Sequence, residues 1–522
     1  MPRMTRNSDD APRGGDGRRG DGRQRVGAAS TPARGRHARA NSLLVAVFLV
    51  LAGIAFTLHA RAVDAQGHAR AVIDTTTGTR KAAAPPAPLD VAAENARPGT
   101  PRWELRAHQV DGRTQAFADH SSVLPGTRIG LYVQCAAPAF TVRAVRTGYY
   151  AGTGGRVVWT SARTPCAQQP AAIVDTATGM ARAPWTRTLS IATTGWPEGM
   201  YVLEVAATTG SATYVDLVVR SASTRGRVVL VSSTLTFQAY NEWGGRNAYR
   251  GRRGFADRAR VVTFDRPQTW GQGSGKFLDY ELPLVQRAER LGLPLAYLAD
   301  TDVSAQPGIL DGALSVVSAG HSEYWSQAQR DAFLAARDTG ANLLFFGANT
   351  AYWRVRLSAS PLGPDRVMTV YKVQAEDPDK AHPSIRFRDL GQPDTALTGV
   401  LYNCFPARGD FVVTDPTSWV FAGTGAHAGS RYAGLIGPEV DKVMGTPPGV
   451  TVLASSPTRC GRIRTHASMV LVRAASGAAT VAVGTMGWVS EALRGRAPVD
   501  TVRFVTITTD NLLRASVRRG LG

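Results

Sequence analysis

Cysteine is scarce in this chain, with four residues among 522. None of the four forms a Cys-x-x-Cys pair, which disfavours metal clusters and thioredoxin-type redox chemistry. Their grouping along the chain predicts two disulfides, Cys135–Cys166 and Cys404–Cys460, although three pairings are open and buried free thiols are the alternative. Disulfides of this kind are typical of exported proteins.

Several common catalytic motifs are also missing. The sequence has no Gly-x-Ser-x-Gly turn and no His-x-x-x-His pair, which disfavours a serine nucleophile of the α/β-hydrolase type and a histidine-rich zinc site. The glycine-rich run from Gly271 to Lys276 lacks the spacing of a phosphate-binding loop. Asp300 and Asp302 are close enough in sequence to hold a divalent ion, but helix capping is the more common role of such a pair.

Charged residues make up only 19% of the chain, and their balance is basic, with 60 Lys and Arg against 40 Asp and Glu. Residues 1–40 contain ten arginines and four aspartates and few large apolar residues, which predicts a disordered, basic cytoplasmic tail. The remaining positive charge is spread without a basic motif, so no nucleic-acid partner is expected.

One long apolar run, Leu43–Leu58, lies in the segment 41–60. It predicts either a transmembrane signal anchor or a signal peptide cleaved near Ala60-Arg61-Ala62. The basic tail places the rest of the chain outside, as a single-pass protein of the cell membrane or, after cleavage, a secreted one. Residues 61–100, rich in alanine and proline, are predicted to be a flexible linker.

The folded part of the chain is expected to comprise an all-β and an α/β domain. Residues 101–222 show many short β runs between turns, which predicts a β-sandwich of immunoglobulin or lectin-like type. Residues 225–522 begin with strands alternating with helices, which predicts a parallel sheet covered by helices. The strands are predicted at 228–231, 260–264, 294–298, 314–318 and 342–346, and the helices at 277–291 and 326–338.

Ligands of parallel sheets bind beyond the carboxyl ends of the strands, so the loops there are the first candidates for a site. His321 and Glu323 follow the strand that ends at Ser318, and can serve as acid, base or metal ligand; Glu323 could instead cap the next helix. Tyr240 lies in a long aromatic loop and could be a phenolate ligand or a hydrogen-bond donor, with packing as the alternative role. Asn349 follows another strand and could hydrogen-bond a substrate or orient the turn at His321, with a structural Asx turn as the alternative.

Six motifs occur in a fixed order along the chain. They are TFQAYNEWGG, FDRP, GHSEYWS, GANTAYWR, GPEVDKV and GTMGW. Together they resemble the C-terminal domain of the large (β) subunit of N,N-dimethylformamidase, over roughly residues 225–515, and residues 101–222 fit the lectin-like module of that family. The resemblance implies a glutamine-amidotransferase-like fold for the α/β domain.

The resemblance also implies a mononuclear iron held by two tyrosines and one glutamate. Glu323 matches the glutamate, Tyr240 looks like one tyrosine, and Tyr201 lies at a suitable distance for the second, although a tyrosine anchoring a corner of the sandwich explains Tyr201 equally well. His321 would then be the acid or base, and Asn349 would stand close to the catalytic residues. The small partner subunit of the family is not evident here, and homo-oligomerisation stays open.

The sequence therefore favours an exported, membrane-tethered amidohydrolase-like protein that hydrolyses an amide bond of an unknown small molecule. Two alternatives stay open. One is a non-catalytic surface protein that binds a glycan, with the sandwich as its lectin. The other is a sugar-modifying enzyme on the same scaffold, because one fold supports many functions.

Overall fold

The structure, a computed structural model, describes residues 88–445 and 447–521. The described residues belong to one compact unit, Ala84–Gly522. The predicted tail at 1–40, the apolar segment at 41–60 and the linker up to residue 87 lie outside the described residues. Within the described ranges, no helix combines the length and apolar character needed to cross a membrane.

The end of the predicted linker is part of the folded body. Helix α1 (Val91–Asn95) begins after Asp90, whose carboxylate accepts a hydrogen bond from the backbone N–H of Ala93 at 3.0 Å. Val91 and Trp103 are buried in one apolar cluster with residues of the strands that follow residue 225. The linker predicted to run to residue 100 therefore ends before α1, because these two side chains pack onto the core.

The N-terminal β region consists of two sheets that share one buried cluster. The strands of this region are β1 (Thr114–Ala118), β2 (Ser122–Val123), β3 (Arg128–Cys135), β4 (Ala139–Thr147), β5 (Gly155–Thr160), β6 (Thr164–Pro165), β7 (Ile173–Val174), β8 (Ala181–Arg182), β9 (Leu189–Ala192), β10 (Gly199–Ala207) and β11 (Ala212–Val219). The smaller sheet has the order β1-β3-β9 and the larger one β2-β11-β10-β4-β5, with mostly antiparallel pairs. Alternate residues of β3 and β4, such as Leu131, Val133 and Val142, are fully buried between the two sheets.

The rest of the described chain is organised around a nine-stranded sheet, with helices between its strands and after the last of them. Its elements are β12 (Val228–Ser232), α2 (Thr234–Tyr240), β13 (Val261–Thr263), α3 (Phe277–Tyr280), α4 (Leu282–Arg290), β14 (Leu295–Ala299), α5 (Asp300–Ala305), β15 (Ser315–Ser318), β16 (Tyr324–Ser326), α6 (Gln327–Asp338), β17 (Asn342–Phe345), β18 (Trp353–Ser360), β19 (Gly363–Thr369), α7 (Thr395–Thr398), β20 (Leu401–Cys404), β21 (Ala407–Val412), β22 (Arg431–Ile436), β23 (Val440–Lys442), β24 (Val450–Cys460), β25 (Ile463–Arg473), β26 (Ala479–Ala482) and α8 (Val499–Ala515).

The nine-stranded sheet is parallel in one half and antiparallel in the other. Its order is β14-β12-β15-β17-β26-β25-β24-β21-β22, and the strands from β14 to β26 run parallel. β12, β15 and β17 are buried throughout, as expected of strands covered on both faces. The parallel sheet predicted from the alternation of strands and helices is confirmed.

Two elements differ from their predictions. The strand predicted at 260–264 is β13, which joins a separate four-stranded sheet, β13-β19-β18-β16, because its antiparallel partner β19 lies a hundred residues downstream. The helix predicted at 277–291 is divided into α3 and α4. Pro283 stands in the first turn of α4, where its missing N–H costs no helical hydrogen bond.

Both predicted disulfides are confirmed. Cys135 at the end of β3 is bonded to Cys166, and Cys404 at the end of β20 is bonded to Cys460 at the end of β24. Each bond closes a loop of tens of residues, which restricts the unfolded chain more than the folded one.

A buried ion pair joins the β region to the nine-stranded sheet. Arg146 in β4 donates two hydrogen bonds to the carboxylate of Glu289 in α4, at 2.8 and 3.1 Å. Both side chains are 0% exposed. The hydroxyl of Tyr297 in β14 donates to Glu289 at 2.7 Å, and Arg146 also donates to the hydroxyl of Tyr150 at 2.9 Å. The charges are thus surrounded by hydrogen-bond partners, which is what a buried pair needs.

Candidate active site

The candidate site lies where three parallel strands end side by side. β12, β15 and β17 are neighbours in the sheet, and their carboxyl ends lead into α2, into the turn 319–323 and into the loop 346–352. Loops that follow parallel strands meet at one edge of the sheet. Tyr240, His321 and Asn349 therefore reach the same region from three different parts of the sequence.

Glu323 is at the centre of this region, and two tyrosines hold its carboxylate. The hydroxyl of Tyr240 donates to Oε2 of Glu323 at 2.8 Å. The hydroxyl of Tyr249 donates to the other oxygen, Oε1. Glu323 is 0% exposed. Burial raises its pKa, but the nearby imidazole of His321, the ammonium of Lys372 and the hydroxyl of Tyr249 together outweigh burial, and the pKa of Glu323 is lowered overall. The side chains of Tyr240, Tyr249 and Glu323 thus meet in a buried part of the protein.

Tyr249 reaches Glu323 because the loop after α2 folds back on that helix. The backbone N–H of Ala248 donates to the carbonyl of Ala239 at 2.9 Å, which sets Tyr249 beside Tyr240 with 5.2 Å between the ring centroids. The indole N–H of Trp353 donates to the Tyr249 hydroxyl at 3.2 Å. The ammonium of Lys372 lies 3.1 Å from the centroid of the Tyr249 ring. This tyrosine is therefore held from several sides.

The backbone around Glu323 is fixed by its neighbours. Its N–H donates to Oγ1 of Thr236 in α2 at 3.0 Å, and its carbonyl accepts from the N–H of Trp353 at 3.0 Å. Gly347, after β17, packs against the turn itself, since a Cβ there would lie 1.7 Å from the carbonyl oxygen of Gly320. Close backbone approach of this kind requires glycine. The turn that carries His321 and Glu323 is therefore positioned by both neighbouring strand ends.

His321 lies between two carboxylates. Its Nε2 is 3.4 Å from Oε2 of Glu323 and 3.7 Å from Oε2 of Glu439. Neither ring nitrogen has a hydrogen-bond partner within the described residues, and neither has Oε2 of Glu439. Burial lowers the pKa of His321, and burial, followed by the charge of Glu323, raises the pKa of Glu439. Both shifts favour the uncharged form of the group concerned, and a histidine and a carboxyl at this separation are suited to exchange a proton.

Asn349 adjoins Glu439 in an uncommon backbone conformation. Its φ is +57°, in the left-handed region, and its N–H donates to Oδ1 of Asp441 at 2.8 Å. Burial raises the pKa of Asp441 to about 7. The Asn349 side chain hydrogen-bonds Glu439, and its Oδ1 has no hydrogen-bond partner among the residues described. Asn349 therefore presents an unused acceptor next to the His321–Glu439 pair.

A comparison with protein families identifies the family of this chain. The sequence model of the family described as N,N-dimethylformamidase beta subunit-like, C-terminal, matches residues 141–497. The chain belongs to this family. A comparison with curated proteins gives no match. The matched range begins in β4 of the β region, earlier than residue 225, and it includes all six motifs.

In this N,N-dimethylformamidase beta subunit-like chain, the predicted site residues do not all meet. Tyr240, His321, Glu323 and Asn349 come together, whereas Tyr201 does not. Tyr201 lies in β10, in the core of the β region; its hydroxyl donates to the carbonyl of Pro197 at 2.6 Å and its ring stacks on Trp196. That is the corner-anchoring role weighed for it from the sequence. The second tyrosine in contact with Glu323 is Tyr249.

Sequence reasoning missed Tyr249 and Glu439. Tyr249 is the last residue of the aromatic loop that begins at Ser232, so its position in a site wall was a usable signal. Glu439 belongs to the motif GPEVDKV, but nothing in the spacing of that motif connects it to His321. The other carboxylate pair, Asp300 and Asp302, lies in the first turn of a helix. α5 begins at Asp300, and the carboxylate of Asp302 accepts a hydrogen bond from the backbone N–H of Ala299 at 2.8 Å.

Two buried carboxylates hold the beginning of α2, the helix that ends at Tyr240. Asp300 accepts from the hydroxyl of Thr234 at 2.5 Å and from the N–H of Leu235 at 2.9 Å. Glu281 accepts from the N–H of Ser233 and from the hydroxyl of Ser232, both at 2.7 Å. Despite these donors, burial raises the pKa of Asp300 to about 7 and that of Glu281 to about 8. Negative charge near a helix start is favourable, but desolvation outweighs it here.

We expect Asp300→Asn to flatten the dependence of stability on pH. Because the folded pKa of about 7 lies above the unfolded value of about 4, the folded state binds more protons between these values. The stabilising contribution of Asp300 is then complete below pH ~4 and is lost as the pH rises through about 7. Urea unfolding of both proteins at several pH values measures this. Parallel profiles for the wild type and Asp300→Asn would contradict it.

The donor set around Glu323 fits a hard metal ion. Two phenol oxygens and a carboxylate converge, and such oxygen ligands suit Fe(III). Burial, followed by the charge of Glu323, raises the pKa of both phenols, so binding a cation there would release their protons. Among the described residues, no group of three or more His, Cys, Asp or Glu side chains is placed to hold a metal. A metal centre in this part of the chain would therefore depend on the tyrosines.

Proposed function

We propose that the chain hydrolyses the carbon–nitrogen bond of a small-molecule amide at the site formed around Glu323. The observation that carries this proposal is the convergence of Tyr240 and Tyr249 on the buried Glu323 carboxylate, with His321 beside it. Family membership supports the same class of reaction. A buried histidine with two neighbouring carboxylates is a suitable arrangement for proton transfer.

We propose further that the site holds a mononuclear iron, with Tyr240, Tyr249 and Glu323 as its protein ligands. Such an ion supplies Lewis acidity, which polarises the carbonyl of a bound amide. The unpartnered nitrogens of His321 and the unpartnered oxygens of Glu439 and Asn349 are left to contact substrate and water. These three residues lie beside the proposed metal ligands and are not themselves proposed to bind the metal.

The side chains can account for the proton movements of the hydrolysis. Water adds to the carbonyl carbon, the C–N bond breaks, and the products are a carboxylic acid and an amine. His321 accepts a proton from the attacking water, and the departing nitrogen must receive one. Burial raises the pKa of Glu439, whose Oε2 lies 3.7 Å from Nε2 of His321; in its protonated form Glu439 can donate a proton and recover it from the imidazole. Asn349 beside Glu439 can orient the substrate through its free acceptor.

We also propose the finer fold assignment implied by the resemblance. The parallel strands β14, β12, β15 and β17, with the site at their carboxyl ends, support a glutamine-amidotransferase-like domain. The two sheets that share one core support a lectin-like sandwich for the β region. An experimental structure in which β12, β15 and β17 were not adjacent would contradict the first assignment.

We expect His321→Asn and Glu323→Gln each to reduce amide hydrolysis strongly. Loss of a general acid–base typically costs ~10²–10⁴-fold in rate, and Glu323→Gln removes the charge on which the tyrosines converge. Amine release from N-methylformamide by purified protein measures the activity. Iron content, determined on the same samples, should fall in Glu323→Gln and be retained in His321→Asn.

His382→Asn is the matched control for the histidine. Its side chain is 73% exposed and lies next to Asp379, so the substitution should leave both activity and iron unchanged. Thermal unfolding of all variants identifies any that fail to fold. If His321→Asn and Glu323→Gln hydrolyse the amide as fast as His382→Asn does, this site is not where the reaction occurs.

A further inference from the structure

The glycine-rich run from Gly271 to Lys276 has no phosphate-loop spacing, but it places a lysine at the site. The ammonium of Lys276 lies 4.4 Å from the centroid of the Tyr240 ring. It lies 5.2 Å from the ring centroids of both Trp270 and Tyr280. Three aromatic rings thus surround one cation, each close enough for a cation–π interaction.

The backbone that carries Lys276 is tightly packed. Gly273 has a φ of +99°, and a Cβ on it would lie 2.3 Å from the backbone carbonyl oxygen of Tyr214 in β11. The hydroxyl of Thr213 donates to the carbonyl of Gln272 at 3.2 Å, and the indole of Trp270 donates to the carbonyl of Tyr240 at 3.0 Å. Lys276 is therefore held in place by the β region and by α2, unlike a freely moving surface lysine.

The charge of Lys276 has no ion-pair partner in the part of the chain that the structure describes. No described carboxylate oxygen lies within 4.0 Å of its ammonium nitrogen. Burial lowers the pKa of Lys276, and the negative charges of Glu439 and Glu323 raise it from a distance, without a direct contact. A partly buried cation without a counter-ion is unfavourable unless another molecule supplies one.

Lys276 is connected to His321 through two aromatic rings. The rings of Tyr240 and Tyr280 lie next to Lys276 and also next to His321, with 5.1 and 5.9 Å between the ring centroids and that of the imidazole. The ammonium is therefore no more than about 10 Å from the imidazole. His321 is 2% exposed, whereas Trp270, whose ring also lies beside Lys276, is 37% exposed. The contacts of Lys276 thus extend from a partly exposed indole to the rings that pack on the buried imidazole.

We propose that Lys276 binds a carboxylate of the substrate, so that the amide cleaved here carries a negative charge a few bonds from its C–N bond. This inference rests on the proposed function and narrows its substrate class. One unpaired cation matches one monovalent anion, whereas a phosphate would call for further donors. A neutral amide such as dimethylformamide has no negative group that could pair with the ammonium of Lys276.

Two formamides of similar size test the proposal with the full chain. N-Formylglycine carries the carboxylate, and N-ethylformamide does not. We expect the ratio of their kcat/KM values to favour N-formylglycine in the wild type and to fall at least about tenfold in Lys276→Met, the loss expected for a charged hydrogen-bond partner. Lys276→Arg keeps the charge and should retain most of the preference. Lys380→Met removes an exposed lysine outside the site and should leave the ratio unchanged.

A binding measurement separates this inference from the proposed function. Calorimetric titration with N-acetylglycine should show binding to the wild type and to Lys380→Met and a loss of at least about tenfold in affinity for Lys276→Met. If N-acetylglycine binds in this pattern but neither formamide is hydrolysed, the proposed function is wrong and the carboxylate site stands. If both formamides are hydrolysed with the same ratio in wild type and Lys276→Met, the proposed function stands and the role of Lys276 is wrong. Absence of both binding and hydrolysis in the folded wild type overturns both.

Discussion

We expect Tyr249→Phe to lose the proposed iron and Tyr201→Phe to keep it. The first substitution removes one of the two phenol oxygens that converge on the carboxylate of Glu323. Even residues that only support metal ligands change affinity by about 10–100-fold when replaced, so loss of a direct ligand should exceed that range. We therefore expect the iron content of purified Tyr249→Phe to fall to a small fraction of the wild-type value. Amide hydrolysis should fall at least ~100-fold. Metal analysis and amine release measure the two effects.

Tyr201→Phe is a matched control because it makes the same chemical change in the core of the β region. Its hydroxyl donates only to the carbonyl of Pro197, which the substitution leaves without that donor. We expect a loss of about 1–3 kcal/mol in the free energy of unfolding, with iron content and rate unchanged. Equal iron in the two variants would show that Tyr249 is not a ligand, and loss of iron in Tyr201→Phe alone would restore the assignment made from the sequence.

The second large effect is expected at the ion pair between the β region and α4. Arg146→Met leaves the carboxylate of Glu289 buried without its cation, which should lower the free energy of unfolding by about 3–5 kcal/mol. The double variant Arg146→Met with Glu289→Leu removes both charges. Because replacing a whole buried pair by apolar groups is often close to neutral, the double variant should be more stable than Arg146→Met alone. Urea unfolding measures all three proteins.

An exposed ion pair provides the comparison. Arg113 is 67% exposed and pairs with Asp111, so Arg113→Ala should cost less than about 1 kcal/mol. If Arg146→Met were no more damaging than Arg113→Ala, the buried pair would contribute little to joining the β region to the sheet. A double variant less stable than Arg146→Met would mean that Tyr150 and Tyr297 cannot repack around apolar side chains.

The fold could be predicted where the strands are buried on both faces. β12, β15 and β17 have Val, Leu or Phe at half or more of their positions, and the alternation of such strands with helices indicates a parallel sheet. β18 could not be predicted in the same way, because only one of its eight residues is fully buried and its sequence mixes charged and apolar positions. The pairing of β13 with β19 also has no local signal, since it depends on a contact between distant segments.

The site residues that directly follow a strand could be predicted from the sequence. His321 and Glu323 follow β15, so the rule that ligands bind beyond the carboxyl ends of strands was enough to select them. Tyr249 could not be selected in this way, because its position depends on how the loop after α2 folds back. That fold depends on the backbone hydrogen bond between Ala248 and Ala239. Glu439 lies more than a hundred residues after Glu323, and no spacing rule connects the two.

The place of β26 in the sheet has a consequence for the order of events in biosynthesis. β26 lies between β17 and β25, although its residues, Ala479–Ala482, come late in the chain. β17 therefore gains its second neighbour in the sheet only after the residues up to Ala482 have been synthesised, since contacts over such sequence distances form after the intervening chain exists. Until then one edge of β17 has unpaired backbone N–H and C=O groups, which are able to pair with another strand.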